Sequence, residues 1–341
     1  REPPRAPATA RSLEEARSIA VRTHHRIKQL QHQVAADELN VLRAEAAMHE
    51  ALGDWRVWQA QPAPAREAYA RALAALRSLA AHEPADRMAR ARLARKTGAT
   101  LEHAEGGWDA AEASFADAER ELGRPRGDEG WAEWCALQLE RLRLMYWWLR
   151  TDELLAALAR VRARILRHGQ PLQRAALRQR EVQALLHKHR FVPTPSLVAA
   201  SAAALAALPA DANLEQQAAY RFGHGIVLLW AGRQDEAAAT IGQALRDATD
   251  TGDLTLQARC LAYLAQWHRC RGEVDATETC AMRAQALADA HGLPNYAGAA
   301  LAHRAWVAWQ RGDFAAAAAR GQEALAAWQR FGAPYPFGAP K

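Results

Sequence analysis

Three groups of residues have types that could do chemistry: His187 and His189 in "LLHKHRF", the four cysteines Cys135, Cys260, Cys270 and Cys280, and Gly223 and Gly225 in "FGHGIVLLW". They would supply metal ligation, thiolate attack and a phosphate cradle, respectively. Two histidines two positions apart point to different sides of a helix, and no HExxH pair accompanies them, so a metal site is not expected. The cysteines show no CxxC spacing, which argues against a zinc module or a disulfide framework. Cys260, His268, Cys270 and Cys280 fall in one stretch, but Cys260 and Cys270 point in different directions on one helix, and buried thiols acting as small apolar residues are expected. The glycine pair lacks a preceding strand and a third glycine, so close packing inside a helix explains it better than a phosphate loop. Neither GxSxG nor GxxxxGK[ST] occurs, and the carboxylates are scattered. No catalytic constellation is present; the expectation is a protein that is not an enzyme and carries no cofactor or metal.

Binding chemistry is better represented. Twelve tryptophans occur, with Trp131, Trp134, Trp147 and Trp148 clustered in "WAEWCALQLERLRLMYWWLR" and Trp306 and Trp309 three apart. In an alanine-rich chain most of them are needed as core, because small residues alone bury little apolar area. Charge is unevenly placed. Between Leu154 and Ala210, nine basic residues (Arg160, Arg162, Arg164, Arg167, Arg174, Arg178, Arg180, Lys188 and Arg190) stand against one acid, Glu181, so this segment carries +8 of a net +6. Such asymmetry marks either a surface for an acidic partner or a set of solvated helix faces.

The elements that must position these residues are helices. Half of the 341 residues are apolar, and alanine, leucine and arginine dominate over β-branched and aromatic types, so the chain is expected to be all-α with a large buried core. No apolar run reaches the length of a membrane span, and the charged, proline-rich N-terminus is unlike a signal peptide. A cytoplasmic protein is expected, and the missing initial methionine suggests a piece of a longer one.

Gly232, Gly272 and Gly312 are 40 residues apart, each between two segments with apolar residues at helical spacing. A fixed period of this size predicts stacked helix–turn–helix units. Further turns are expected near Arg190, Arg150, Gly106 and Gly53. In each unit a left-handed residue ends helix A and, in "GDF" and "GDW", the aspartate is expected to cap helix B. "LQARCLAYLAQWHRCRG" places Leu261, Leu264 and His268 on one stripe, with Ala265 as the point of close approach. The resulting organisation is a disordered or linker segment over 1–11, a leading helix over 12–34 started by the Ser12–Glu15 capping pattern, about seven repeats over 35–330, and a Pro-rich tail over 331–341 that ends in a truncation. Whether 12–52 forms one helix or two stays open.

"GGWDAAEASFADAEREL" resembles the tetratricopeptide repeat: Trp108, Ala111, Phe115 and Ala118 fall at its turn aromatic, small, bulky and small positions. The longer period is similar to the variant in bacterial multidomain LuxR-type regulators. The stretch from "GDLTLQARC" to "GQEALAAW" resembles the sensor arrays of signalling ATPases with numerous domains. The resemblance implies a right-handed superhelical solenoid of antiparallel helix pairs, tetratricopeptide-like, whose concave groove is lined by helices A. On that wall it places Lys96, His103, Glu140, Trp147, Arg180, His187, Arg259, Arg269 and Trp309. It implies a ligand-sensing scaffold holding a protein segment or small effector in the groove, with an ATPase or output domain elsewhere in the parent chain and no membrane. The alternative is a nucleic-acid-binding repeat protein using the basic 154–210 segment, although its aromatics are not interleaved with the basic run.

Overall fold

The computed structural model describes residues 17–19, 21–23, 38–79, 83–102, 104 and 106–331. Most of the expected leading helix, the N-terminal linker and the C-terminal tail therefore lie outside the described residues. The fold is all-α, with no strand among the described residues. Two compact units divide it, residues 1–141 with 250–252, and residues 142–249 with 253–341.

The first unit holds α1 (Glu38–Trp58), α2 (Pro62–Arg77), α3 (Pro84–Ala99), α4 (Gly107–Leu122) and most of α5 (Gly127–Trp147). Proline stands in the first turn of α2 and α3, where its missing N–H has no intrahelical partner to lose. Tyr69 of α2 is buried among Ala46, Ala72, Leu76 and Leu93. Ala111, Phe115 and Ala118 of α4 are buried as the repeat pattern requires, and Trp108 is half-buried.

The turn expected at Gly53 is corrected here. Gly53 lies inside α1, beneath Tyr69, where an added Cβ would stand 2.2 Å from the tyrosine ring. The chain reverses seven residues later, at Ala60, which takes the left-handed conformation. Asp54 of "GDW" accordingly caps nothing. It accepts a hydrogen bond from the Tyr69 hydroxyl at 2.8 Å.

The second unit continues with α6 (Thr151–His168), α7 (Pro171–Lys188), α8 (Pro195–Ala206), α9 (Leu214–Trp230), α10 (Gln234–Thr251), α11 (Leu254–Cys270), α12 (Val274–His291), α13 (Pro294–Gln310) and α14 (Phe314–Phe331). One of its cores joins Val182 and Leu186 of α7 to Phe222 and Ile226 of α9, Ile241 of α10 and Cys260 of α11. Leu261, Ala284 and Ala300 carry the packing on through α11, α12 and α13. Small residues dominate those contacts, so the helices approach closely.

One turn chemistry recurs. Gly232, Gly272 and Gly312 have φ of +77°, +72° and +79°. The next residue's N–H closes onto the carbonyl five positions back, Arg233 on Leu228, Glu273 on His268 and Asp313 on Ala308, at 2.9–3.0 Å. This is the Schellman closure of a helix C-terminus. Leu149 and Arg190 occupy the same conformation without glycine, as does Ala60 in the first unit. In "GDF" the expected cap is present: the Asp313 carboxylate accepts from the Ala316 N–H at 2.9 Å. Adjacent turns are tied by Arg271 to Asp235 and Arg311 to Asp275, two ion pairs with the same 36-residue separation.

Candidate functional site

In the first unit the basic groove candidate is already neutralised. Lys96 of α3 donates to Glu50 at 2.7 Å and to both oxygens of Asp54. Arg92 adds a bidentate pair to Glu50 at 2.7 and 2.8 Å. Burial alone would raise the Glu50 pKa, but these two cations hold it below the ordinary carboxylate range. Glu140 of α5 acts, with the directly bonded Glu133, to keep the half-buried Arg95 charged against desolvation. Lys96 and Glu140 are thus members of interhelical charge networks. His103 lies outside the described residues.

The second unit assembles a different environment from helices A. At the C-terminal end of α5, Tyr146 and Trp147 meet edge to face at 5.4 Å. His187, from the last turn of α7, stacks on Tyr146 with ring centroids 4.3 Å apart and planes 14° from parallel, and Phe191 leans on the same imidazole, tilted, at 5.3 Å. The imidazole is only 8% exposed, and neither ring nitrogen has a hydrogen-bond partner among the described residues. Desolvation pushes its pKa down to about 4, so it is a neutral donor–acceptor at physiological pH.

Arg259 of α11 completes the cluster. Its guanidinium carbon lies 4.9 Å from the Trp147 ring centroid and 4.5 Å from that of Phe222, on α9. Phe222 is in turn held edge-on by Tyr263, at 5.4 Å. The arginine is half-buried, and among the described residues its side chain has no ion pair or hydrogen-bond acceptor. Desolvation opposes the charge, but its pKa is not lowered and the guanidinium stays charged.

Of the residues placed on the groove wall, the structure therefore brings together Trp147, His187 and Arg259. Arg180 stands two helical turns before His187 on α7, and its Nη1 donates to Gln183 at 2.6 Å. Its charge acts on Tyr220 of α9, whose unpartnered, buried hydroxyl is pushed up to about 12 by desolvation. Arg269 lies over Trp306, 5.5 Å from its ring centroid, and Trp309 is 54% exposed; neither joins the Arg259 cluster. The sequence reading passed over Tyr146 and Phe222. Tyr146 sits beside Trp147 in the tryptophan-rich stretch, and Phe222 precedes the glycine pair that was set aside as packing. Gly225 does pack closely: an added Cβ would stand 2.5 Å from Ile241.

Among the described residues no group of three His, Cys, Asp or Glu could hold a metal ion, and no helix is long and apolar enough to cross a membrane. The buried Cys260 thiol is pushed far above its ordinary range by desolvation, the condition of a packing residue.

No protein-family model and no curated protein sequence matches the chain. Solved structures do. The Rap conjugation gene regulator of the plasmid pLS20, solved with the Phr* peptide, is 14% identical over 85% of this chain and 75% of that one, with a TM-score of 0.68. A Rap protein complexed with Competence and Sporulation Factor is 12% identical over 92% of this chain and 86% of that one, at 0.63. A signal transduction ATPase with numerous domains from Pyrococcus horikoshii, bearing a tetratricopeptide repeat sensor, is 12% identical at 0.50; 92% of this chain matches 47% of that one. At these identities the likeness is one of fold, and the fold is an all-α, tetratricopeptide-like array of paired helices.

Proposed function

We propose that the chain is a non-catalytic scaffold that binds an extended protein segment or small effector on the helix A surface of residues 142–310, and thereby regulates an output domain. The observation that carries this reading is the cluster of Tyr146, Trp147, His187, Phe222 and Arg259, which four helices A from successive pairs contribute to one place. Aromatic rings supply contact area, and His187, Tyr220 and Arg259 have polar groups left unmatched among the described residues. Unmatched polar atoms in a desolvated setting cost stability unless a ligand meets them. The likeness in fold to the Rap regulator solved with the Phr* peptide supports a peptide, and that to the ATPase sensor supports an attached nucleotide-dependent switch.

A display screen of random peptides against the full chain tests it. Enriched segments are expected whose binding is lost on Arg180→Glu or His187→Ala while the far-ultraviolet circular dichroism keeps its helical signal. Binding unchanged in both variants overturns this placement of the site.

A further inference from the structure

We infer that Arg259 is the anchor for a carboxylate of the ligand, seated between the Trp147 and Phe222 rings. A guanidinium presents five N–H donors in a planar fork. Ring contacts attract its charge but contain no acceptor for those donors, so the two aromatic neighbours leave the fork unsatisfied. Other arginines of the second unit are paired with a carboxylate: Arg162 with Glu181, Arg221 with Asp247, Arg271 with Glu273 and Arg311 with Asp275. Asp253, whose carboxyl feels the Arg259 charge, is committed elsewhere, accepting the Leu256 N–H as the cap of α11.

The chemistry of the missing group follows from the charge count and the geometry. A planar fork matches the two oxygens of a carboxylate in bidentate fashion. A single cation among Tyr146, Trp147, Phe222 and Tyr263 balances one negative charge, whereas a phosphate dianion would bring a second charge into an aromatic setting that already holds Asp253 nearby. His187, stacked on Tyr146 in the same cluster, is neutral and so adds no second positive charge beside the fork. On a peptide, the carboxylate could belong to the chain terminus or to an Asp or Glu side chain; the two share one chemistry and separate experimentally.

This inference rests on the proposed binding surface for its location, and the test keeps the two apart. Isothermal titration of the full chain would use pooled random pentapeptides in three forms: free acids, C-terminal amides, and amides lacking Asp and Glu. Benzoate and phenylacetate provide a fourth, non-peptide arm. The free-acid pool is expected to bind at least tenfold tighter than the acid-free amides, with the amide pool reporting which carboxylate is used. Arg259→Gln is expected to remove that preference, and Arg259→Lys to restore only part of it, because the charge returns without the fork. Peptides that bind equally well without any carboxylate, or with Arg259→Gln unchanged, overturn the anchor and leave the peptide scaffold standing. Benzoate binding that depends on Arg259 with no peptide binding supports the anchor and overturns the peptide reading. Tighter binding of inorganic phosphate than of benzoate, or no binding in any arm, overturns the anchor.

Discussion

Gly98 and Gly225 hold the same place in their helix pairs, the point at which a large residue of helix B lies on the backbone of helix A. An added Cβ would stand 2.6 Å from the Phe115 ring and 2.5 Å from Ile241 Cγ1, respectively, closer than side chains pack. Gly225→Ala is expected to cost about 1–3 kcal/mol by overpacking, measured by urea unfolding. Combined with Ile241→Ala, it should cost less than the sum of the two single changes, because the clash has gone. Full additivity would locate the glycine's role elsewhere. A second residue-scale expectation concerns acid. His187 and His303 are buried neutral, His303 with the Arg269 charge adding to desolvation, and both pKa values are lowered to about 4. The unfolded chain takes up these protons near the ordinary value of 6.5 and the native state does not, so stability is complete above that pH and falls between about 6.5 and 4. Each histidine contributes up to about 3 kcal/mol of that loss. His187→Phe, which keeps a ring on Tyr146, should flatten the decline by about half; an unchanged pH profile would show that His187 titrates normally.

The turns show what an element reveals through its sequence and what it hides. Gly232, Gly272 and Gly312 were legible because glycine occupies the left-handed position at an even period, and the helix pairs around them follow. Ala60, Leu149 and Arg190 adopt the same conformation with side chains attached. The helical context of the Schellman closure imposes it, so no residue type marks those turns. Gly53 misled the register because glycine serves two purposes in these helices, and close packing under Tyr69 is the one that applies there. Two opposite substitutions follow. Arg190→Gly relieves a left-handed arginine and is expected to stabilise by about 0.5 kcal/mol. Gly272→Ala, where open space surrounds the Cβ position, should destabilise by about 1 kcal/mol through φ alone. Thermal melts of both variants decide; the same sign for both would separate φ from stability at these turns. The basic run also resolves at this scale. Arg160, Arg164 and Arg167 are exposed on α6, Arg162 is paired with Glu181, and Arg174 donates to the Gly169 carbonyl. Fluorescence anisotropy with random single-stranded RNA at low salt, about 50 mM, is expected to show no saturable binding. Saturable, steeply salt-dependent binding lost on Arg160→Glu with Arg164→Glu would assign α6 to phosphate instead.

At the scale of the whole molecule, the aromatic–arginine cluster is the part least visible in the sequence. Arg259 and Trp147 are 112 residues apart, and periodicity says which helix each belongs to without saying that the end of α5, with α9 and α11, brings them within 5 Å. Periodicity does dictate how stability is distributed. The cores are local: one around Tyr69 draws on α1 to α3, another from Val182 to Cys260 on α7 to α11, and another on Leu261, Ala284 and Ala300. A stack of this kind has a stability close to a sum of neighbouring interfaces, so damage should stay near its origin. Gly98→Val, which drives a β-branched side chain into Phe115 and the Ala111 carbonyl, is the sharpest local insult available. Native-state hydrogen exchange followed by mass spectrometry is expected to show protection lost across 84–122 and retained across 254–310. Equal loss in both segments would mean that the chain opens as one cooperative body. Confinement to the first unit would instead mean that the second can keep its Trp147–Phe222–Arg259 arrangement, and any ligand held there, while its neighbour frays.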